Sequence, residues 1–444
     1  VKSKQEALDL LERALSAATA AGCDAAHATL SSGASALTRF ANNTIHQNVS
    51  NEGGGVGVCA VRGKRAGVAH SGVLTAEGVA AAAKKAAEIA AVAAEDPEFP
   101  GVVKSPPAAP RGVFDEETGA ATPAARAEAV CRIIRRIEGG GAVASGSLST
   151  SAGCFALANT AGTRQYDRGT GVNLNVVAMA DTAAGCALFS GQRVGEMDAA
   201  ERAELALRKC LDSRKPAEVE PGEYAVVLEP PAALELFDFL SYLGFSALAM
   251  QQGRSCFQGK LGQKVLDESI TMTDDPHDPA GTPSAFDGEG LPKRRIELIA
   301  KGVLDGLVYD RRTAAKDGVE STGHGSSPQN AHGPHPGNII VSPGASSLAE
   351  MIASTERGLL VSHFHYTNIA ERSTATITGM TRYGLFEIAD GKVARPLRNL
   401  RFTQSAIAAL ADVAAVSQDR ERFGSTVVPA LKVRKFRFTG KSDH

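Results

Sequence analysis

The sequence predicts an α+β chain in which a helix-and-antiparallel-meander region precedes a β-rich C-terminal domain. Three observations predict it. Capped stretches with apolar residues every three or four positions alternate with runs of period two. The order helix, strands, helix occurs twice before residue 212. A charged, proline-rich segment over 212–222 then separates that half from a remainder dominated by strands. The domains expected are 1–111, 112–215, as a possible repeat of the first, and 222–444.

Ser3-Lys4-Gln5-Glu6 is a capping box, in which hydroxyl and carboxylate each satisfy an orphan amide, and Leu8, Leu11 and Leu15 continue a helix over 4–20. Past Gly22 the pattern turns to short alternating strands, with Asn42-Asn43 suited to a tight hairpin. Gly53-Gly54-Gly55 reads as a loop; it lacks G-x-x-x-x-G-K-S/T and a helix behind it, so no phosphate cradle is expected. Arg62-Gly63-Lys64-Arg65 turns the chain into another strand over 66–71, and Thr75 caps an Ala-rich helix to Ala94. Five prolines between Pro97 and Pro110 mark a connector.

The order then recurs. Thr122-Pro123 opens a helix over 123–137, strands follow over 142–150, 153–159, 163–178 and 182–190, and Asp198-Ala199-Ala200-Glu201 is a second capping box, opening a helix to Cys210. Phe40-Ala41-Asn42 matches Leu157-Ala158-Asn159, and Val68-Ala69-His70-Ser71-Gly72 matches Ala187-Leu188-Phe189-Ser190-Gly191, which suggests a diverged duplication. This half carries no constellation of catalytic type and reads as a scaffold with exposed sheet edges.

Composition narrows the function. With 47 basic against 49 acidic residues the net charge is −2, so direct nucleic-acid binding is not expected; Arg395, Arg398, Arg401, Lys432, Arg434, Lys435 and Arg437 read as solvated edge positions. The seven cysteines are scattered, odd in number and never C-x-x-C, which indicates buried small hydrophobes rather than disulfides or a zinc knuckle. Without a signal sequence or an apolar run of about 18 residues, a cytoplasmic protein with no membrane contact is expected.

Beyond the linker, Tyr224-Ala225-Val226-Val227-Leu228 is a buried strand running into a helix from Pro231 to Phe245. That helix is apolar on most of its circumference and so is packed on most sides. Asp238 within it is either a catalytic or ligand residue with a shifted pKa, or a structural acid bound to a backbone amide or an arginine. His363-Phe364-His365 sets two imidazoles on one face of a strand. They either chelate a divalent metal with Asp238, His324, His332 or His335 as third ligand, or pack beside a groove.

The strand-to-helix frame at 226–245 resembles the TldD/PmbA family, peptidase-type proteins also described as modulators of DNA gyrase. Gly253-Arg254-Ser255-Cys256, Phe286-Asp287-Gly288-Glu289-Gly290 and Thr378-Gly379-Met380-Thr381-Arg382-Tyr383-Gly384 continue the resemblance. In catalytic members of the family the helix carries His-Glu-x-x-x-His; the same six places here read Asp238-Phe239-Leu240-Ser241-Tyr242-Leu243. No cysteine follows Cys256, so the family's second metal feature, a cysteine ligand near the C-terminus, is missing as well. The resemblance implies a PmbA/TldE-type component of a metallopeptidase that matures or degrades peptides. It implies no catalytic residue and no cofactor in this chain, with zinc in a TldD-type partner. The assembly implied is a heterodimer or larger, or a homodimer, holding an extended peptide along strand edges. Asp238, Tyr242, His363 and His365 are the candidates for the cavity or peptide groove. An independent metallohydrolase using His363 and His365, and a non-proteolytic binding protein for gyrase or another macromolecule, are the alternatives.

Overall fold

The computed structural model of the protein describes residues 1–329 and 332–442; the last two residues of the expected C-terminal domain lie outside them. The architecture is α+β with two sheets. The first unit runs α1 (Lys4–Ala20), β1 (Ala25–Ala41), β2 (Thr44–Arg62), β3 (Arg65–Ser71) and α2 (Ala76–Val92). Both halves of the capping box at Ser3 and Glu6 form, and the Thr75 hydroxyl accepts from the Gly78 amide. After the single turn α3 (Glu116–Gly119), the second unit repeats the order as α4 (Pro123–Gly139), β4 (Val143–Asn159), β5 (Arg164–Ala180), β6 (Ala183–Gly191) and α5 (Ala199–Asp212).

The two units share one sheet, ordered β3-β2-β1-β4-β5-β6, because β1 and β4 pair antiparallel from His27↔Asn159 to Phe40↔Gly146. Alternation along these strands turns Ala26, Ala28 and Leu30 of β1, and Ala156 and Ala158 of β4, toward α1 and α2. Leu148, Leu174 and Val176 face α4 and α5 in the same way. One face of the sheet is therefore covered by helices, and Ser31, Gly33, Ser151, Gly153 and Phe155 lie on the other. Equivalent glycines let the helices approach. A Cβ on Gly67 of β3 would stand 2.3 Å from the Ala86 carbonyl oxygen of α2, and one on Gly185 of β6 would stand 2.3 Å from that of Ala206 in α5.

Three sequence expectations are corrected. The strands expected at 142–150 and 153–159 are one strand, β4, whose middle residues Ser151, Ala152 and Gly153 are too small to sustain an apolar alternation yet stay hydrogen-bonded to β1 and β5. Gly53-Gly54-Gly55 is no loop but the middle of β2, where Gly54 has no room for a side chain, a Cβ there falling 2.4 Å from the Ser31 carbonyl oxygen. At α5 only Asp198 caps, accepting from the Ala200 and Glu201 amides; the return bond from Glu201 is not made.

In the C-terminal half, β7 (Glu223–Leu228) leads into α6 (Pro230–Gly244) and α7 (Ala247–Gln251). Then follow β8 (Met272–Asp274), β9 (Ile296–Ala300), β10 (Val303–Leu304), α8 (Arg311–Asp317), β11 (Ile339–Val341) and α9 (Leu348–Ala353). The chain ends in β12 (Arg357–Glu371), β13 (Thr376–Ala389), β14 (Lys392–Pro396), β15 (Leu400–Ser405), α10 (Ala406–Ala411), β16 (Val413–Phe423) and β17 (Thr426–Lys441). β7 pairs on one edge with β12, parallel, and on the other with β17, antiparallel. Through β13 and β15 the five strands close into a ring. Its core contains Phe364, Phe402 and Phe436, with ring centroids 4.4 Å (Phe364–Phe402) and 5.4 Å (Phe364–Phe436) apart.

The two halves are tied by buried polar contacts. Gln165 of β5 donates to the carbonyls of Pro106 (2.9 Å) and Gly290 (3.0 Å), and the Arg311 guanidinium donates to those of Gly101 and Pro100 at 2.6 and 2.7 Å. Glu289, 2% exposed, accepts the Arg311 amide at 3.0 Å. Burial, reinforced by the neighbouring Asp287 carboxylate, pushes its carboxyl up to about 8. No helix among the described residues is long and apolar enough to cross a membrane.

Two tests follow from this architecture. Gly67→Ala and Gly185→Ala each force a helix off the sheet and should lower stability by about 1–3 kcal/mol in urea titrations, with equal losses expected if the two glycines do the same work. For Glu289 the sign is that of an acid raised on folding: as pH climbs from 4.5 toward 8 the unfolded carboxyl ionises while the folded one stays protonated. Stability is therefore lost across that window. Glu289→Gln should flatten the dependence, so its melting temperature gains on that of the wild type between about pH 5 and about pH 9.

Candidate functional site

Helix α6 is placed by its entry. The Glu229 amide donates to the Val361 carbonyl of β12 at 3.0 Å, and the Glu229 carboxylate pairs with Lys209 of α5 at 2.7 Å, both side chains 14% exposed. Pro230 and Pro231 then open the helix, where a missing amide costs nothing. Ala232, Ala233, Leu236, Phe237, Leu240 and Leu243 bury one broad face in the C-terminal core. Glu235, Asp238 and Tyr242 are left on the remaining face, at spacings of three and four that bring them side by side.

Asp238 opens onto a depression of about 260 Å³ shared with Ser241, Tyr242, His335, Ser425 and Thr426. Its partner is neither a backbone amide nor an arginine, as expected of a structural acid, but the Thr426 hydroxyl of β17, which donates to Oδ1 at 2.9 Å. Although Asp238 has surface facing the depression, the surrounding walls desolvate it and raise its carboxyl, against the pull of the Thr426 hydroxyl. Burial likewise pushes Glu235 up to about 6, opposed by the Thr367 hydroxyl and assisted by the Asp238 charge. The i, i+3 spacing to Asp238 on an otherwise apolar helix was the signal for Glu235. Tyr242, 55% exposed, stacks on His335 at 6.1 Å and 13°, and the Arg372 guanidinium stands 5.4 Å from its ring centroid.

The zinc that the family's helix implies finds no ligand set at this place. A structural or catalytic zinc takes at least three nitrogen, sulfur or carboxylate ligands from the protein. The depression offers one carboxylate, one imidazole and hydroxyls. Among the described residues no group of three His, Cys, Asp or Glu side chains could hold a metal ion.

His363 and His365 do share a face of β12, since both imidazoles meet Tyr383, at 5.7 and 6.5 Å between ring centroids. None of Asp238, His324, His332 and His335 joins them in a three-ligand group. His363 is packed near the Lys209–Glu229 pair, and burial is the main reason its imidazole falls to about 4. His365 lies against Tyr366, itself at φ 50° in a bulge of β12. His324 is engaged elsewhere: Nδ1 contacts the Thr322 hydroxyl at 2.8 Å, and Nε2 stands 3.2 Å from Asp274 Oδ2.

A larger feature had no sequence signal. On the uncovered face of the N-terminal sheet lies a depression of about 780 Å³, floored by Ser31, Gly33, Ser151 and Gly153. Phe155 and Ser284 form the boundary it shares with a middle depression of about 410 Å³. His335 in turn is common to the middle depression and the one beside Asp238. Adjoining through these shared residues, the three reach as a groove from the six-stranded sheet to α6. Of the basic residues near the C-terminus, Arg395 pairs with Glu387 at 2.6 Å, Arg398 with Glu218 at 2.8 Å and Arg434 with Asp412 at 3.4 Å, which disperses their charge.

Comparison with known proteins agrees with this architecture. Residues 221–440 match the model of the PmbA/TldA metallopeptidase C-terminal domain, and residues 29–90 match that of PmbA/TldA metallopeptidase domain 1. A metalloprotease of Methanothermobacter thermautotrophicus is 27% identical over 224 residues, 49% of this chain and 46% of the relative. The metalloprotease PmbA of Escherichia coli O157:H7 is 26% identical over 235 residues, 51% and 49% of the two chains. The chain thus spans about half the length of the curated relatives it matches. The crystal structure of TldE from Thermococcus kodakarensis superposes with a TM-score of 0.87 at 21% identity, covering 97% of this chain and 100% of that one, and so shares the fold. The chain belongs to the PmbA/TldD metallopeptidase family.

Proposed function

We propose that this chain is a PmbA/TldE-type component of a metallopeptidase that matures or degrades peptides, and that it holds substrate without cutting it. The observation that carries the proposal is the groove, which ends at α6, where catalytic relatives are expected to bear zinc and this chain bears Asp238, Ser241 and Tyr242. A peptide laid along it in extended form meets a floor of serine and glycine on the sheet, the stacked rings of Phe155 and Phe286, and finally the Tyr242–His335 pair. The flat floor suits a main chain without selecting large side chains. Hydrolysis is assigned to a zinc-bearing TldD-type partner, whose metal would supply an activated water.

All seven cysteines are free thiols, six of them buried, which supports action in a reducing compartment such as the cytoplasm.

The purified chain should contain well under one metal ion per chain by inductively coupled plasma mass spectrometry and should cleave no fluorogenic peptide. Adding a family member with an intact His-Glu-x-x-x-His helix should bring activity and a co-eluting complex on size-exclusion chromatography. One zinc per chain together with peptidase activity in the isolated protein would overturn the assignment. Tyr242→Ala, which removes the stack at the end of the groove, should weaken peptide binding by roughly 1–2 kcal/mol in fluorescence anisotropy while leaving the melting temperature nearly unchanged.

A further inference from the structure

The middle depression holds an ammonium that forms no ion pair with its walls. Lys293 is the only lysine or arginine among its described lining residues, and no carboxylate among the described residues forms an ion pair with its ammonium. The acids nearby are already engaged. Asp287 Oδ1 accepts the Glu289 and Leu291 amides at 3.0 and 2.9 Å, while Oδ2 accepts the Gly325 amide at 2.8 Å. Asp274, with no exposed side-chain surface, accepts the Gly337 and Asn338 amides and faces His324. Lys293 acts on Asp287 only at longer range. His335 brings no second cation, because burial lowers its imidazole.

The ammonium lies close over the backbone of Gly337, where a Cβ would sit 2.9 Å from Lys293 Nζ and the flexible head group would have to shift slightly. In the same lining the Phe155 and Phe286 rings stack at 5.8 Å and 19°, an apolar wall that lowers the local dielectric and strengthens any charge pair formed beside it. A half-enclosed ammonium with no partner favours an incoming anion. The anion that a peptide carries is a carboxylate.

Resting on the groove reading above, we propose that the middle depression is a carboxylate subsite, with Lys293 as counter-ion to a carboxyl group of the bound peptide. The carboxyl comes either from the peptide's C-terminus or from an aspartate or glutamate side chain, and the chemistry is the same for both. The subsite makes the chain selective for charge at one position along an otherwise permissive groove.

The test uses fluorescein-labelled octapeptides of Gly, Ala, Ser and Val in three forms: free C-terminal acid, C-terminal amide, and amide with one internal Asp. Binding to the full chain is followed by anisotropy. The free acid, the Asp peptide or both should bind about tenfold more tightly than the plain amide, and which of them does so identifies the source of the carboxylate. Lys293→Met should erase the difference without changing the melting temperature, and Lys293→Arg should keep it. Equal binding of all three to the wild type overturns the subsite and leaves the groove standing. A carboxylate preference that survives Lys293→Met overturns the assignment to Lys293. Binding of none at millimolar concentration overturns both the subsite and the groove.

Discussion

Strand β7 is six residues long and has hydrogen-bonding partners on both edges, β12 on one and β17 on the other. A strand so held cannot slide without breaking two ladders at once, and its side chains Val226 and Leu228 would leave the core if it moved by one residue. Everything that follows in the chain inherits that fixity. The Glu229 amide bonds to Val361 immediately after the strand, the two prolines set the first turn, and α6 has one direction in which to run. The place of Asp238 opposite Thr426 of β17 is thus a result of ring closure, since β17 supplies both the edge that holds β7 and the hydroxyl that meets the acid.

Much of this was readable from the amino acids. Ser3, Thr75, Thr122 and Asp198 announce helix starts because an N-cap oxygen serves amides one turn away, a local bond that needs no knowledge of the fold. The degenerate helix is legible for the same reason, its apolar letters recurring at helical spacing. The length of β4 was not, because Ser151, Ala152 and Gly153 satisfy their backbone across to β1, more than a hundred residues away in the chain, and no local pattern records that pairing. The Gly53–Gly55 run misled for a related reason: glycine marks a turn when it supplies unusual backbone angles, and marks close packing when a neighbouring carbonyl leaves no space for Cβ.

The groove was hidden altogether. Its parts come from β1, β4, the 282–293 segment, the 335–337 segment and α6, and Phe155, Lys293 and His335 acquire meaning only once those parts adjoin. Its electrostatics follow a common rule. Of the acids lining its middle and its α6 end, Asp287 is bonded to amides and raised by burial, and Asp238 is raised by burial against the Thr426 hydroxyl. Against such a muted background a single ammonium weighs more than it would on an open surface.

The pairing of β1 with β4 also has a consequence for how the chain is made. During synthesis, β1, β2 and β3 can assemble with their two helices while the inner edge of β1 still waits for residues 146–159. For the time needed to add the roughly seventy residues between α2 and the end of β4, several seconds at elongation rates of about 5–20 residues per second, that long edge stands open. Its exposed groups are a template for the wrong strand, including the β4 of a neighbouring copy. The serines and glycines that line this edge, too small and polar to favour sticky contacts, serve the nascent chain as protection before they serve the finished one as a floor.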